Sequence, residues 1–148
     1  MIRTLHIISY ATLITTFSFM FAMGLMVGYD RFNPPAVIKT IYHDATGKKG
    51  SSILVLNEIN RIRSCRAITN RELINIPNMK VYETETVDRD VQKSEKLITR
   101  EVKVDIPIYI PTGEYSYRAV INYYCNISNY FLGPITIVTD AIRFNVTD

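Results

Sequence analysis

From Leu5 to Gly28 the chain runs through 24 residues, LHIISYATLITTFSFMFAMGLMVG, without one Asp, Glu, Lys or Arg. Nothing else in the sequence restricts the fold as strongly. An α-helix of that length rises about 36 Å, enough to cross a ~30 Å hydrocarbon layer with some tilt. A single segment can do so only as a helix, because each backbone polar group must be satisfied within it. The hydroxyls of Ser9, Thr12, Thr15, Thr16 and Ser18 are tolerated because they can bond carbonyls of the preceding turn. A buried core helix is the competing reading, but cores rarely need so long an uncharged run. Residues 1–30 are therefore expected to be a transmembrane anchor that meets membrane lipid through residues 5–28.

Ala22-Met23-Gly24 has the small-x-small pattern that precedes a signal-peptidase cut. The apolar run before it is longer than the 7–15 residues of an ordinary signal peptide, so an uncleaved anchor is preferred over a signal-like segment. Gly24 and Gly28 make a GxxxG spacing, which would let two helices approach closely and offers a route to a homo-oligomer. Charge leaves the orientation open: Arg3 lies before the run, Arg31 and Lys39 after it, with Asp30 between.

Residues 31–148 carry almost all the charge and read as one water-soluble domain, with room for a modest core. The formal net charge of +3, from 17 basic and 14 acidic residues, is too balanced for a nucleic-acid binder. The densest basic stretch, RIRSCRAITNR, holds Arg61, Arg63, Arg66 and Arg71. Arginines alternating along a strand read first as a solvated face and second as a patch for an anionic partner.

Strand signals dominate this region. In REVKVDIPIYIP, Val102, Val104, Ile106, Ile108 and Ile110 alternate with Glu101, Lys103, Asp105, Pro107 and Tyr109, which predicts one half-buried strand, bulged or at an edge near Pro107. After the turn Pro111-Thr112-Gly113, residues Tyr115, Tyr117, Ala119, Ile121, Tyr123 and Cys125 share a face of the next strand. ITIV and AIRFNV predict a last strand with a break near Asp140, and NPPAVIKTIYHD a first one. In ILVLNEINRIRSCRAI, Leu56, Ile59 and Ile62 would suit a helix face, but the Val/Ile content and arginine alternation favour a strand, bulged between Ile62 and Cys65; residues 70–96 suggest short edge strands and a charged loop over Val87–Lys96. The sum is an all-β, immunoglobulin-like antiparallel β-sandwich of about seven strands, preceded by one N-terminal transmembrane helix.

Cys65 and Cys125 are the only cysteines. In immunoglobulin-type domains a disulfide of comparable span joins the second strand to the sixth, across the two sheets. On the strand order above, Cys65 lies on the second strand and Cys125 on the penultimate one, so an inter-sheet bridge is expected. It would persist only in an oxidising compartment, which places the domain on the periplasmic or extracellular side. There is no Trp to pack on the bridge. Tyr115, Tyr117 and Tyr123 are expected to fill the core instead, with the Tyr115 hydroxyl reaching back to the turn as a tyrosine corner.

IPIYIPTGEYSYRAVINYYCNISNYFLGPI, together with the terminal IRFNV, resembles the C-terminal half of small proteins encoded by tailed phages. Those proteins also combine an N-terminal hydrophobic segment with a PxGxYxYxxxxxYxxN strand, and their functions are mostly unassigned. The resemblance implies a viral, envelope-associated protein.

Catalytic patterns are missing. His43 and Asp44 are adjacent, and neighbours on a strand point apart; no phosphate loop or nucleophile elbow occurs. Glu83, Glu85, Asp88 and Asp90 lack the spacing and glycine of a calcium loop, so no metal and no cofactor is expected. Asn126 and Asn145 begin glycosylation tripeptides of a kind that arises often by chance. The expected function is non-enzymatic: a binding or structural module at a bacterial envelope, contacting an unidentified envelope or phage protein. The alternatives are a superinfection-exclusion factor and a structural component of the virion.

Overall fold

The structure, a computed structural model, describes residues 2–148, and the side chains of 10–30 and 32–148. The lipid contacts expected of residues 5–9 and the flanking charges Arg3 and Arg31 lie outside the described side chains. The chain divides into two compact units, Met1–Asn33 and Pro34–Asp148.

In the first unit, α1 (Ile2–Phe32) is one uninterrupted helix. Its stretch Tyr10–Asp30 is long and apolar enough to cross a membrane. Thr15 donates to the Ala11 carbonyl at 3.0 Å and Thr16 to the Thr12 carbonyl at 2.7 Å, so the hydroxyls are satisfied within the helix. Large apolar side chains such as Phe17 and Met20 are exposed. A helix apolar on all sides has no stripe for a partner sheet and suits a uniformly apolar solvent.

The second unit holds nine strands: β1 (Ala36–His43), β2 (Thr46–Lys48), β3 (Ser52–Arg61), β4 (Cys65–Asn75), β5 (Val81–Val91), β6 (Ile98–Asp105), β7 (Gly113–Tyr124), β8 (Ile135–Val138) and β9 (Ile142–Thr147), with a short helix α2 (Ser128–Leu132) after β7. They form two sheets, ordered β1-β3-β6 and β2-β9-β7-β4-β5, with β8 pairing β7 above β9. All ladders are antiparallel except the three-residue pairing of β2 with β9.

Several expectations need correction. The stretch read as a single bulged strand around Ile62 is two strands, β3 and β4, in different sheets. The chain turns over Ile62–Ser64, where the Ile62 and Arg63 amides donate to the Pro35 carbonyl and leave the β3 ladder. The expected edge fragments are instead a hairpin of two long strands, with Val87–Val91 inside β5. At its turn, Asn75 Oδ1 accepts from the Asn78 amide, and Met79 takes a positive φ of 57°.

The alternating run Val102–Ile110 stops being a strand at Asp105. Pro107 has no amide proton to extend the ladder, and the chain turns there. Ile106 and Ile110 stay buried, whereas Ile108 is exposed. The break expected near Asp140 separates β8 from β9, and both strands pair with β7.

One hydrophobic core spans both sheets. Ile53, Val55 and Ile59 from β3 and Val102 and Val104 from β6 enter it from one sheet; Ala67, Leu73, Tyr115, Tyr117 and Phe144 enter from the other. Strand parity explains this, since alternate residues of each strand face the same side.

Candidate functional site

The same parity that fills the core delivers arginines to it. Arg61 follows Ile53, Val55, Asn57 and Ile59 on the inward positions of β3. Arg71 shares a face of β4 with Ala67, Thr69 and Leu73, Arg89 shares one of β5 with Val91, and Arg100 one of β6 with Val102 and Val104. The four guanidinium groups converge on a cavity between the sheets of about 40 Å³, measured by where the centre of a water molecule fits. Asn57 and Thr69 also line it, as do Tyr117 and Tyr123, and the lining contains no Asp, Glu, His or Cys.

The charge there is poorly compensated. Arg71 is paired with Glu85, its cross-strand neighbour, and reaches across to the Lys103 carbonyl of the other sheet at 3.3 Å. No described carboxylate lies within ion-pair distance of Arg61, Arg89 or Arg100. Arg89 Nε and Thr69 Oγ1 are fully buried and have no hydrogen-bond partner. Burial, and then the positive charges of Arg61 and Arg71, hold Arg100 below the ordinary arginine pKa. Burial raises the phenols of Tyr117 and Tyr123, and the nearby charge of Arg61 partly offsets this for Tyr123.

The outer face of the larger sheet is different. Arg66 is held by Asp88 through Nε at 3.0 Å, Arg118 by Glu72 at 2.7 Å, and Arg143 lies 3.8 Å from Glu114. Arginines that face water are paired, and those that face the cavity are mostly unpaired.

The four arginines read from the sequence as one patch are therefore divided. Arg61 and Arg71 reach the cavity, Arg66 faces outward, and Arg63 lies in the β3–β4 turn and does not line it. Arg89 and Arg100 were missed. A signal for Arg100 exists: the alternation starting at Val102 extends back two residues onto it. That extension puts a charge at an apolar position, so it looks like the end of the pattern.

Cys65 and Cys125 form a disulfide with a Cα–Cα distance of 4.3 Å. It does not cross between sheets as expected. Arg66 stands opposite Tyr124 in the β4–β7 ladder, which brings Cys65 and Cys125 face to face on adjacent strands of one sheet. The strand assignment caused the error: Cys65 opens β4, not the strand that begins at Ser52. The bridge fits an oxidising compartment.

Tyr115, Tyr117 and Tyr123 are all buried, and the Tyr115 hydroxyl donates to the Pro111 carbonyl at 2.9 Å. Tyr115 also packs against Phe144 and Tyr82, with ring centroids 6.2 Å apart in both pairs. A Cβ placed on Gly24 or Gly28 would meet nothing within 4 Å apart from its chain neighbours and the backbone of its own helix. Asp44 has a structural role, accepting from the Leu54 amide at 2.7 Å and the Tyr42 hydroxyl at 3.2 Å.

No protein-family model matches the chain, nor does any curated protein. Among solved structures it is similar to the sporulation control protein Spo0M of Bacillus subtilis, with 11% identity over 77% of this chain and a TM-score of 0.45. The alkylpurine DNA glycosylase AlkC of Pseudomonas fluorescens matches 77% at 9% identity and a TM-score of 0.44. AvmM, which catalyses macrocyclization in alchivemycin A biosynthesis, matches 78% at 7% identity, a TM-score of 0.45 and 90% of its own length. The chain spans 50% of the Spo0M chain and 31% of the AlkC chain. Likeness at this level bears on neither family nor activity.

Proposed function

We propose that the chain is a membrane-tethered, non-enzymatic binding module, its domain displayed on the periplasmic or extracellular side of a bacterial envelope. The observation that carries this reading is the pairing of an uncovered apolar helix with a disulfide in the domain that follows it. A bridge that persists only where thiols oxidise, attached to a helix suited to lipid, favours a single pass with the C-terminal domain outside.

An immunoglobulin-like topology belongs to the same proposal. In immunoglobulin letters, β1, β3 and β6 correspond to A, B and E, and β4, β5, β7 and β9 to C, C′, F and G. The disulfide departs from that pattern by joining C to F. A loop tip with exposed Ile127, Phe131 and Leu132 supports a role in binding, as does the arginine-lined cavity. The resemblance of residues 106–135 and the terminal IRFNV to the C-terminal half of phage-encoded proteins supports a phage setting, with superinfection exclusion as one version of the role. Association of two copies through Gly24 and Gly28 would double the displayed surface.

The test is the mobility of the membrane-fraction protein with and without reductant, combined with protease access in spheroplasts. The expected result is a carbonate-resistant membrane protein whose domain is cut from outside and whose mobility changes on reduction. Two alkylatable thiols in protein recovered from the cytosol would defeat the proposal. Recovery in purified particles by mass spectrometry would favour a virion component instead.

A further inference from the structure

We infer that the cavity between the sheets is a binding site for a tetrahedral oxyanion of the phosphate class, either inorganic phosphate or the phosphate of a lipid headgroup. The inference rests on the geometry of the domain and stands whether or not α1 spans a membrane.

Three observations converge. The four guanidinium groups come from four strands, β3 and β6 on one side and β4 and β5 on the other, so their charges surround the space rather than flank it. One of them, Arg71, is neutralised by Glu85, and the other three have no described carboxylate partner. Donors are also left unused inside: Arg89 Nε and the Thr69 hydroxyl are buried and unpaired, which natural structures rarely leave without a water or an ion. Like charges gathered in a partly dry space repel one another, and a multivalent anion would turn that repulsion into attraction. A flat carboxylate is satisfied by one guanidinium fork, whereas an anion with four oxygens can accept from donors on opposite walls. The lining holds no carboxylate, imidazole or thiol, so binding alone is inferred.

The test uses the full chain in dodecyl maltoside micelles, which carry no phosphate, with arginine Nε–H resonances followed by NMR and assigned by substitution. Inorganic phosphate and a short-chain phosphatidic acid are titrated separately, at constant ionic strength, against sodium chloride. The expected result is saturable movement of the Arg89 and Arg100 signals, at least tenfold more sensitive to the phosphate probes than to chloride. Arg89→Gln, read at Arg100, and Arg100→Gln, read at Arg89, should each weaken the response at least tenfold, while Arg143→Gln leaves it unchanged. Equal response to the two probes assigns the phosphate group itself; response to phosphatidic acid alone assigns a lipid headgroup.

Relief of like-charge repulsion should leave the ligand-free melting temperature of both inward variants equal to or above that of the parent, so lost binding is separable from lost folding. Three results would overturn the inference: no saturable shift with either probe, a chloride response of the same size, or an unaltered response of the remaining arginine in both single variants. A response to an Asp-rich peptide but to neither phosphate probe would also overturn it, in favour of an acidic protein partner.

Discussion

Removing the Cys65–Cys125 bridge gives the most direct measure of what holds the domain together. The two residues are 60 apart in sequence. Closing a loop of that length costs the unfolded chain about 4 kcal/mol in the chain-entropy model. The native state changes little, because Cys65 and Cys125 already stand opposite one another at the end of a ten-pair ladder that holds the strands in register. Nearly the whole effect should therefore come from the unfolded ensemble. For a domain of this size a kcal/mol is worth roughly 4 °C, which makes the expected fall in melting temperature about 15 °C. The assay is thermal unfolding of full-length protein in mild detergent, followed by near-ultraviolet circular dichroism of its ten tyrosines. The double variant Cys65→Ala/Cys125→Ala and the reduced parent should agree closely. A fall below about 5 °C would refute the loop-closure reasoning, and so would loss of the native tyrosine spectrum at low temperature in both samples.

Further outcomes follow from other contacts. Tyr115→Phe removes the donor to the Pro111 carbonyl in an exposed turn and should destabilise the domain by about 0.5–1.5 kcal/mol in urea unfolding, with no change in the slope against denaturant. Gly47→Ala should cost about 1–3 kcal/mol, because the new Cβ would overlap the Ile106 side chain and lie 2.6 Å from Ile53 Cγ2; an unchanged midpoint would mean that β2 yields easily. Stability should also fall at high pH. The Tyr117 and Tyr123 phenols are raised in the folded state, so above about pH 10 the unfolded chain loses protons that the folded one keeps. Absorbance at the phenolate band should show three tyrosines, Tyr115, Tyr117 and Tyr123, ionising only as the domain unfolds, and ordinary titration of all ten would contradict their burial.

Much of this protein could be read locally. The uncharged run from Leu5 to Gly28 requires nothing beyond helix rise and the absence of charge, and it lies within α1. The face shared by Tyr115, Tyr117, Ala119, Ile121 and Tyr123 follows from two-residue periodicity, and all five are buried. Two cysteines with no competing partners left one disulfide to form. Each of these depends on a residue and its near neighbours along the chain.

The tertiary structure decided what periodicity does not encode, namely which strand lies beside which. Periodicity assigns a side chain to a face but says nothing of the sheet that owns the face, so the turn at Ile62–Ser64 moved Cys65 into the other sheet and put the bridge between neighbouring strands. The arginines show the same limit more sharply. Arg61 and Arg71 stand at the two ends of one basic stretch, Arg89 and Arg100 lie in later strands, and each alone is an ordinary strand residue. Only the packing of one sheet over the other brings these four inward positions around one cavity.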